Sequence, residues 1–141
     1  MSFVVSEEKM KYRLKANDLP KNVLEAFGAI ANKGLLRVKY VEYRPQEQLV
    51  TFPFQRFPIV GKSMFSATRH SNSSVPCRAT IRNVSACKIE DTRECEEITI
   101  IFGIGFKGNE IFLCSVEENH GTTCYTLSCI VPEIDIEMND E

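Results

Sequence analysis

Six cysteines, two histidines and a scatter of arginines are the residues of this chain with the most obvious capacity for chemistry. The cysteines are Cys77, Cys87, Cys95, Cys114, Cys124 and Cys129, and no two of them have the C-x-x-C spacing of a zinc knuckle or a dithiol redox motif. His120 and Cys124 stand four apart with Cys129 beyond, a set of metal-ligand types without metal-ligand spacing. The expectation is that no metal is bound and that the cysteines serve mainly as small buried hydrophobes. His70 lies in the serine-rich stretch TRHSNSS and His120 in the turn NHGTT; neither has the third, orienting group that a nucleophile–base pair needs. GIGFKG, residues 103–108, spells G-x-G-x-x-G. The dinucleotide fingerprint requires a helix after the glycines, whereas NEIFLCSVE reads as a strand, so a bend and a hairpin turn are the expected use. Arg78 and Arg82, with Arg69 upstream, offer either a phosphate patch or a solvated strand face opposite Glu90, Asp91 and Glu94, and the second is favoured. No catalytic constellation emerges, and the chain is expected not to be an enzyme and to carry no cofactor.

The elements that hold these residues are mostly strands. NDLPKNVLEAFGAIANKG predicts the one helix: Asn17 or Asp18 caps it, Pro20 fits its first turn, Leu19, Val23, Phe27 and Ile30 make its apolar stripe, and Gly34 ends it. From Leu35 the hydrophobic period changes to two. LLRVKYVEY and LVTFPF predict a hairpin over RPQEQ with Val50, Phe52 and Phe54 on one face, and Pro53 and Pro58 there predict an edge or a bulge. CRATIRN alternates with Cys77, Ala79 and Ile81 inward. EITIIFGIGF, EIFLCSVE and CYTLSCIV follow as strands, the last with Tyr125, Leu127, Cys129 and Val131 on one side. PEIDIEMNDE is read as an acidic, fraying tail whose alternation at most adds an edge strand.

The 141 residues suit one domain, with 43% hydrophobic and 26% charged residues. A net charge of −2 gives no reason to expect DNA or RNA binding through bulk charge. No apolar run approaches the length of a membrane helix, and MSFVVSEEKMKYRLK does not read as a secretory signal, so a cytoplasmic location is expected. The predicted fold is mainly β (α+β): a small antiparallel β-barrel or curled sheet of about six strands with one N-terminal helix packed on it.

TIRNVSACK, with Asn83 and Ser85 at its centre, gives the most specific lead. From Phe54 onward the chain resembles a PilZ domain, a β-barrel family that binds cyclic di-GMP through an R-x-x-x-R segment and a following (Asp/Asn)-x-Ser-x-x-Gly. Here QRFPIVGKSMF supplies Arg56, 27 positions before Asn83, and CRATIRNVSACKIE supplies Asn83 and Ser85; Lys88 replaces the closing glycine, and no second arginine stands four from Arg56. The resemblance divides the chain into a helix-and-hairpin element at 1–53, a PilZ-like barrel at 54–131 and a tail at 132–141. It implies a non-catalytic regulatory or adaptor domain with a degenerate cyclic di-GMP site at Arg56, Asn83, Ser85 and Lys88, binding the nucleotide weakly or not at all. Forked guanidiniums hold phosphates and guanine edges well, and one arginine with a lysine point charge is a poorer clamp. A protein partner is then expected, with homo-oligomerisation open. The alternative is an unrelated α+β protein-interaction domain in which Asn-x-Ser is incidental.

Overall fold

The computed structural model describes residues 9–15, 28, 30–62, 68–92, 94–104, 110–116 and 123–141. Its elements are the strands β1 (Lys11–Lys15), β2 (Leu35–Arg37), β3 (Glu42–Arg44), β4 (Leu49–Arg56), β5 (Ile59–Lys62), β6 (Thr68–His70), β7 (Val75–Ile81), β8 (Ala86–Asp91), β9 (Glu97–Thr99), β10 (Ile101–Ile104), β11 (Glu110–Val116), β12 (Thr123–Ile130) and β13 (Asp135–Asp140), with a 3-10 turn at Val38–Tyr40. All pairings are antiparallel. A seven-stranded sheet runs β1-β13-β7-β4-β2-β9 with β3 also on β4; a four-stranded sheet runs β10-β11-β12-β8; β5 and β6 form a separate hairpin.

The expected mainly-β architecture is present, but the described strands form open sheets and not a closed barrel. The reason lies at Ile100. The continuous apolar run EITIIFGIGF predicts one strand, yet the ladder breaks there: β9 pairs with β2 in the large sheet, and β10 pairs with β11 in the small one. Ile100 donates its N–H to the Gly34 carbonyl and accepts from Lys33, which holds the crossing point against the chain entering β2. Both sheets contribute to one core. Val50, Phe52, Phe54, Cys77, Ala79, Ile81, Ile136 and Met138 come from the large sheet, and Tyr125, Leu127 and Cys129 from the small one. The period-two alternation read for β4, β7 and β12 is the one that buries these side chains.

Two further expectations are corrected. The 132–141 segment is not a fraying tail or an edge: β13 lies between β1 and β7, with Ile136 and Met138 fully buried. Its alternation puts Ile136 and Met138 inward and Asp135, Glu137 and Asn139 outward, so most of its acidic character lies on the solvent face of an interior strand, while Asp140 turns inward. β4 is not an edge either, despite Pro53. β3 pairs with β4 at residues 49–51 and β2 joins it at Gln55, so the proline that cannot donate sits between the two partners. β4 also runs through the 53–54 boundary, and β2 and β3 share its sheet with β7 and β13.

The expected helix at 17–34 lies largely outside the described residues. Gly28, Ile30 and Ala31 are helical, and Asn32 N–H donates to the Gly28 carbonyl at 2.9 Å. The stop differs from expectation in its residue: Lys33 takes the left-handed conformation (φ 67°). Gly34 is needed for space instead, because a Cβ there would stand 2.8 Å from the Ala31 carbonyl oxygen and 2.9 Å from that of Gln55.

Candidate functional site

Arg56 ends β4 on the core side of the large sheet, the face shared by Phe52 and Phe54. One strand over, beyond β7, β13 ends with Asp140 opposite Cys77. Arg56 Nε donates to Asp140 Oδ1 and Nη2 to Oδ2, both at 2.7 Å, in a bidentate pair. Met10 N–H donates to Oδ2 at 2.9 Å, and Asp140 N–H donates to the Met10 carbonyl. The Arg56 and Asp140 side chains are only 15% and 6% exposed. The guanidinium bond holds the Asp140 carboxyl below its usual pKa against the opposing effect of burial, with help from Met10 N–H and the Cys77 thiol. Burial pushes the Cys77 thiol up to about 12. This cluster ties β4, β7, β13 and the residue before β1 together, with both Asp140 carboxylate oxygens taken up by Arg56 and Met10.

Asn83 and Ser85 lie at the other end of β7. Arg56 is opposite Val75 and Val50 opposite Ile81, and Asn83 comes two residues later. The six residue steps from Val75 to Ile81 alone separate the two ends by roughly 20 Å, at ~3.3 Å per step. Asn83 has φ 59°, a conformation its short amide side chain tolerates, and its Nδ2 donates to the Glu133 carbonyl. Ser85 donates through both N–H and Oγ to the Ile130 carbonyl, at 2.8 and 3.0 Å. The Asn-x-Ser pair therefore closes the turn from β7 to β8 onto the chain leaving β12. Positive φ, which the missing glycine at Lys88 would have supplied, is taken by Asn83 itself.

Lys88 is in the middle of β8, on the outer face, with its Nζ 2.6 Å from Glu90 Oε1 and most of its side chain in solvent. The structure thus places Asn83, Ser85 and Lys88 along one turn and strand, and Arg56 away from them in a buried ion pair. The basic pair Arg78 and Arg82 is also matched, though not by Glu90, Asp91 and Glu94. Arg78 Nε bonds Glu141 at 3.0 Å and Arg82 Nη2 bonds Glu137 at 3.5 Å, both on or just after β13. Arg13 adds a bidentate pair with Asp135. On this face Thr51, buried, donates to the Ala79 carbonyl and accepts from Arg78. Arg69 and His70 lie on β6 or at its end, while His120 lies outside the described residues.

Among the described residues several strands have an open edge, β1 and β9 in the large sheet and β10 and β8 in the small one. β8 pairs with β12 on one side and is the last strand of its sheet among the described residues. Five of its six residues are exposed. Ile89 is opposite the buried Leu127 yet is 48% exposed, because the core ends before the sheet does. On the other face Ile130, 49% exposed, borders a shallow recess of about 500 Å³ together with Ala86, Lys88, Glu90 and Ser128. The sequence reading missed Ile89 as a surface residue, since the signal that would expose it is its place at an edge. It also missed the β13 carboxylates, whose alternation with isoleucine and methionine was the available sign. Among the described residues, no group of three or more His, Cys, Asp and Glu side chains has the geometry to hold a metal ion, and no helix is long and apolar enough to cross a membrane. In comparison with known proteins, no family model, no curated protein and no solved structure matches this chain.

Proposed function

We propose that this chain is a non-catalytic interaction module that pairs strand to strand through β8, with a second copy of itself as the partner. The observation that carries the reading is the self-complementarity of the exposed segment Lys88-Ile89-Glu90 on an edge strand. An antiparallel pairing with its two-fold axis at Ile89 sets Lys88 of each copy directly opposite Glu90 of the other, and Ile89 against Ile89 on the opposite face. Each cross-strand charge pair then faces its partner directly across the interface. The Lys88–Glu90 bridge within one chain is highly exposed and is exchanged at little cost. Covering the half-exposed Ile89 adds roughly 1 kcal/mol per copy, and backbone groups on the outer edge of β8 gain partners across the interface.

The PilZ-like reading enters this proposal as a module in which cyclic di-GMP binds weakly or not at all. Arg56 is engaged by Asp140 and lies far from Asn83 and Ser85, so a nucleotide that used all of them would have to break a buried pair and bridge the length of β7. Titration calorimetry with cyclic di-GMP is expected to give no heat, and binding abolished by Arg56→Ala would overturn this part.

Sedimentation equilibrium tests the pairing. The chain is expected to dimerise with concentration, Lys88→Glu to weaken the dimer about tenfold, equivalent to about 1.4 kcal/mol, and the swapped Lys88→Glu, Glu90→Lys variant to recover it. A chain that stays monomeric to about 1 mM, where a dimer would be worth less than ~4 kcal/mol, removes the proposal. So does a dimer indifferent to both variants.

A further inference from the structure

We infer that Cys87 and Cys129 form a redox-active dithiol, which a peroxide-class oxidant converts to a disulfide between β8 and β12. The two residues are directly opposed in the β8–β12 register. Residues opposed in an antiparallel pair have Cβ atoms about 4.5–5.5 Å apart, and a disulfide needs them at about 3.5–4.5 Å, so closure takes a small approach. The two thiols lie on the same, inward face of the β8–β12 pair, close enough that each perturbs the ionisation of the other. β8 is the last described strand of its sheet, free of a second described neighbour that would resist the approach.

The pair is asymmetric in the way a two-step oxidation requires. Cys129 is 1% exposed, whereas Cys87 is partly open to solvent on β8. Burial raises the pKa of both thiols, but the interaction between them acts against that rise at Cys87 and adds to it at Cys129. Cys87 is thus the thiol that ionises and meets oxidant first. Its thiolate attacks the O–O bond of the peroxide. An S–O bond forms, the O–O bond breaks, and the leaving oxygen departs as water or an alcohol. Cys129 sulfur then attacks the Cys87 sulfenic acid. The S–S bond forms, the S–O bond breaks, and the hydroxyl leaves as water with the Cys129 proton. The two thiols lose two electrons and two hydrogens, and the peroxide takes up both.

Tyr125 on β12 faces both thiols, and Asp91 and Cys95 act on the same tyrosine. Cys95 is the competing thiol in sequence, but its N–H is held to the Asp91 carboxylate at the far end of β8, beyond the Cys87 position. The dithiol rests on the β8–β12 register and stands whether or not β8 pairs with a second copy.

The purified full chain, treated with hydrogen peroxide and blocked with an alkylating agent after denaturation, reads the outcome by mass. Loss of two hydrogens is expected, reversible by dithiothreitol, with proteolytic peptides joining Cys87 to Cys129. Cys87→Ser, at a partly exposed position, is expected to show neither. Linkage among other cysteines only, over-oxidation of Cys87 while Cys129 remains free to alkylate, or no reaction after prolonged exposure to excess peroxide would each overturn the inference.

Discussion

Arg56 shows how a residue's role follows from its neighbours and not from its type. Removing the guanidinium leaves the Asp140 carboxylate nearly buried with only the Met10 N–H and the Cys77 thiol as partners. Arg56→Ala is therefore expected to lower stability by about 3 kcal/mol in urea denaturation. Replacing both partners together, Arg56→Met with Asp140→Leu, is expected to restore most of it, because the desolvation of two charges is removed with the bond. The pair also sets a pH dependence. Asp140 has a folded pKa below its ordinary 3.8, so the unfolded chain takes up the proton first. The contribution is fully present above the unfolded pKa and is lost as pH falls through the folded value. Denaturation midpoints of the native chain should fall steeply below about pH 4, and those of Asp140→Asn less so, after allowing for the similarly depressed but more exposed Asp135. An equal acid response in both would show that other carboxylates carry the effect. Asn83 and Ser85 belong at this scale too: their amide and hydroxyl close a turn, which accounts for an Asn-x-Ser at a strand end without any ligand.

The joints between elements are the sensitive places. The chain entering β2 has Gly34 pressed against the Gln55 and Ala31 carbonyls, and Ile100 bonds the same glycine where β9 gives way to β10. Gly34→Ala puts a methyl within 3.0 Å of two backbone oxygens that cannot swing aside, and is expected to cost about 1–3 kcal/mol, seen as a lower Tm. An unchanged Tm would mean that β2 and β4 can separate without loss. Pro53 makes the complementary point. It is tolerated in an interior strand because its position falls between β3 and β2, a fact of pairing that no reading of β4 alone contains.

At the scale of the molecule, the large sheet is completed by pairing β1 with β13, more than a hundred residues apart in sequence. Such non-local pairing makes folding slow relative to helical domains of this size, in the range of milliseconds to seconds. It also makes β13 indispensable, since its removal strips β1 of its described partner and β7 of one of two, and opens the core at Ile136 and Met138. A chain lacking residues 135–141 is expected to show no cooperative unfolding transition by circular dichroism. The milder Met138→Ala should keep the transition and lose about 3 kcal/mol. A truncated chain that still melts cooperatively would show that the small sheet and β4–β7 hold a core without β13.

Alternation in the sequence was enough to establish a mainly-β chain and the inward faces of β4, β7 and β12, because period two is a local property of any half-buried strand. It also marked Asn83 and Ser85 as an unusual turn. The sequence could not tell which strands are neighbours, and the remaining differences follow from that. The acidic face of β13 looked like a tail until Arg13, Arg78 and Arg82 were found across it. Arg56 looked available until Asp140, 84 positions away, was found against it. Ile89 stands exposed because β8 is an edge of its sheet among the described residues, which the sequence did not mark. Side-chain period is written residue by residue, but pairing partners are selected by the packing of the whole chain, and only the tertiary structure decided which charges were already spent and which edges were left open.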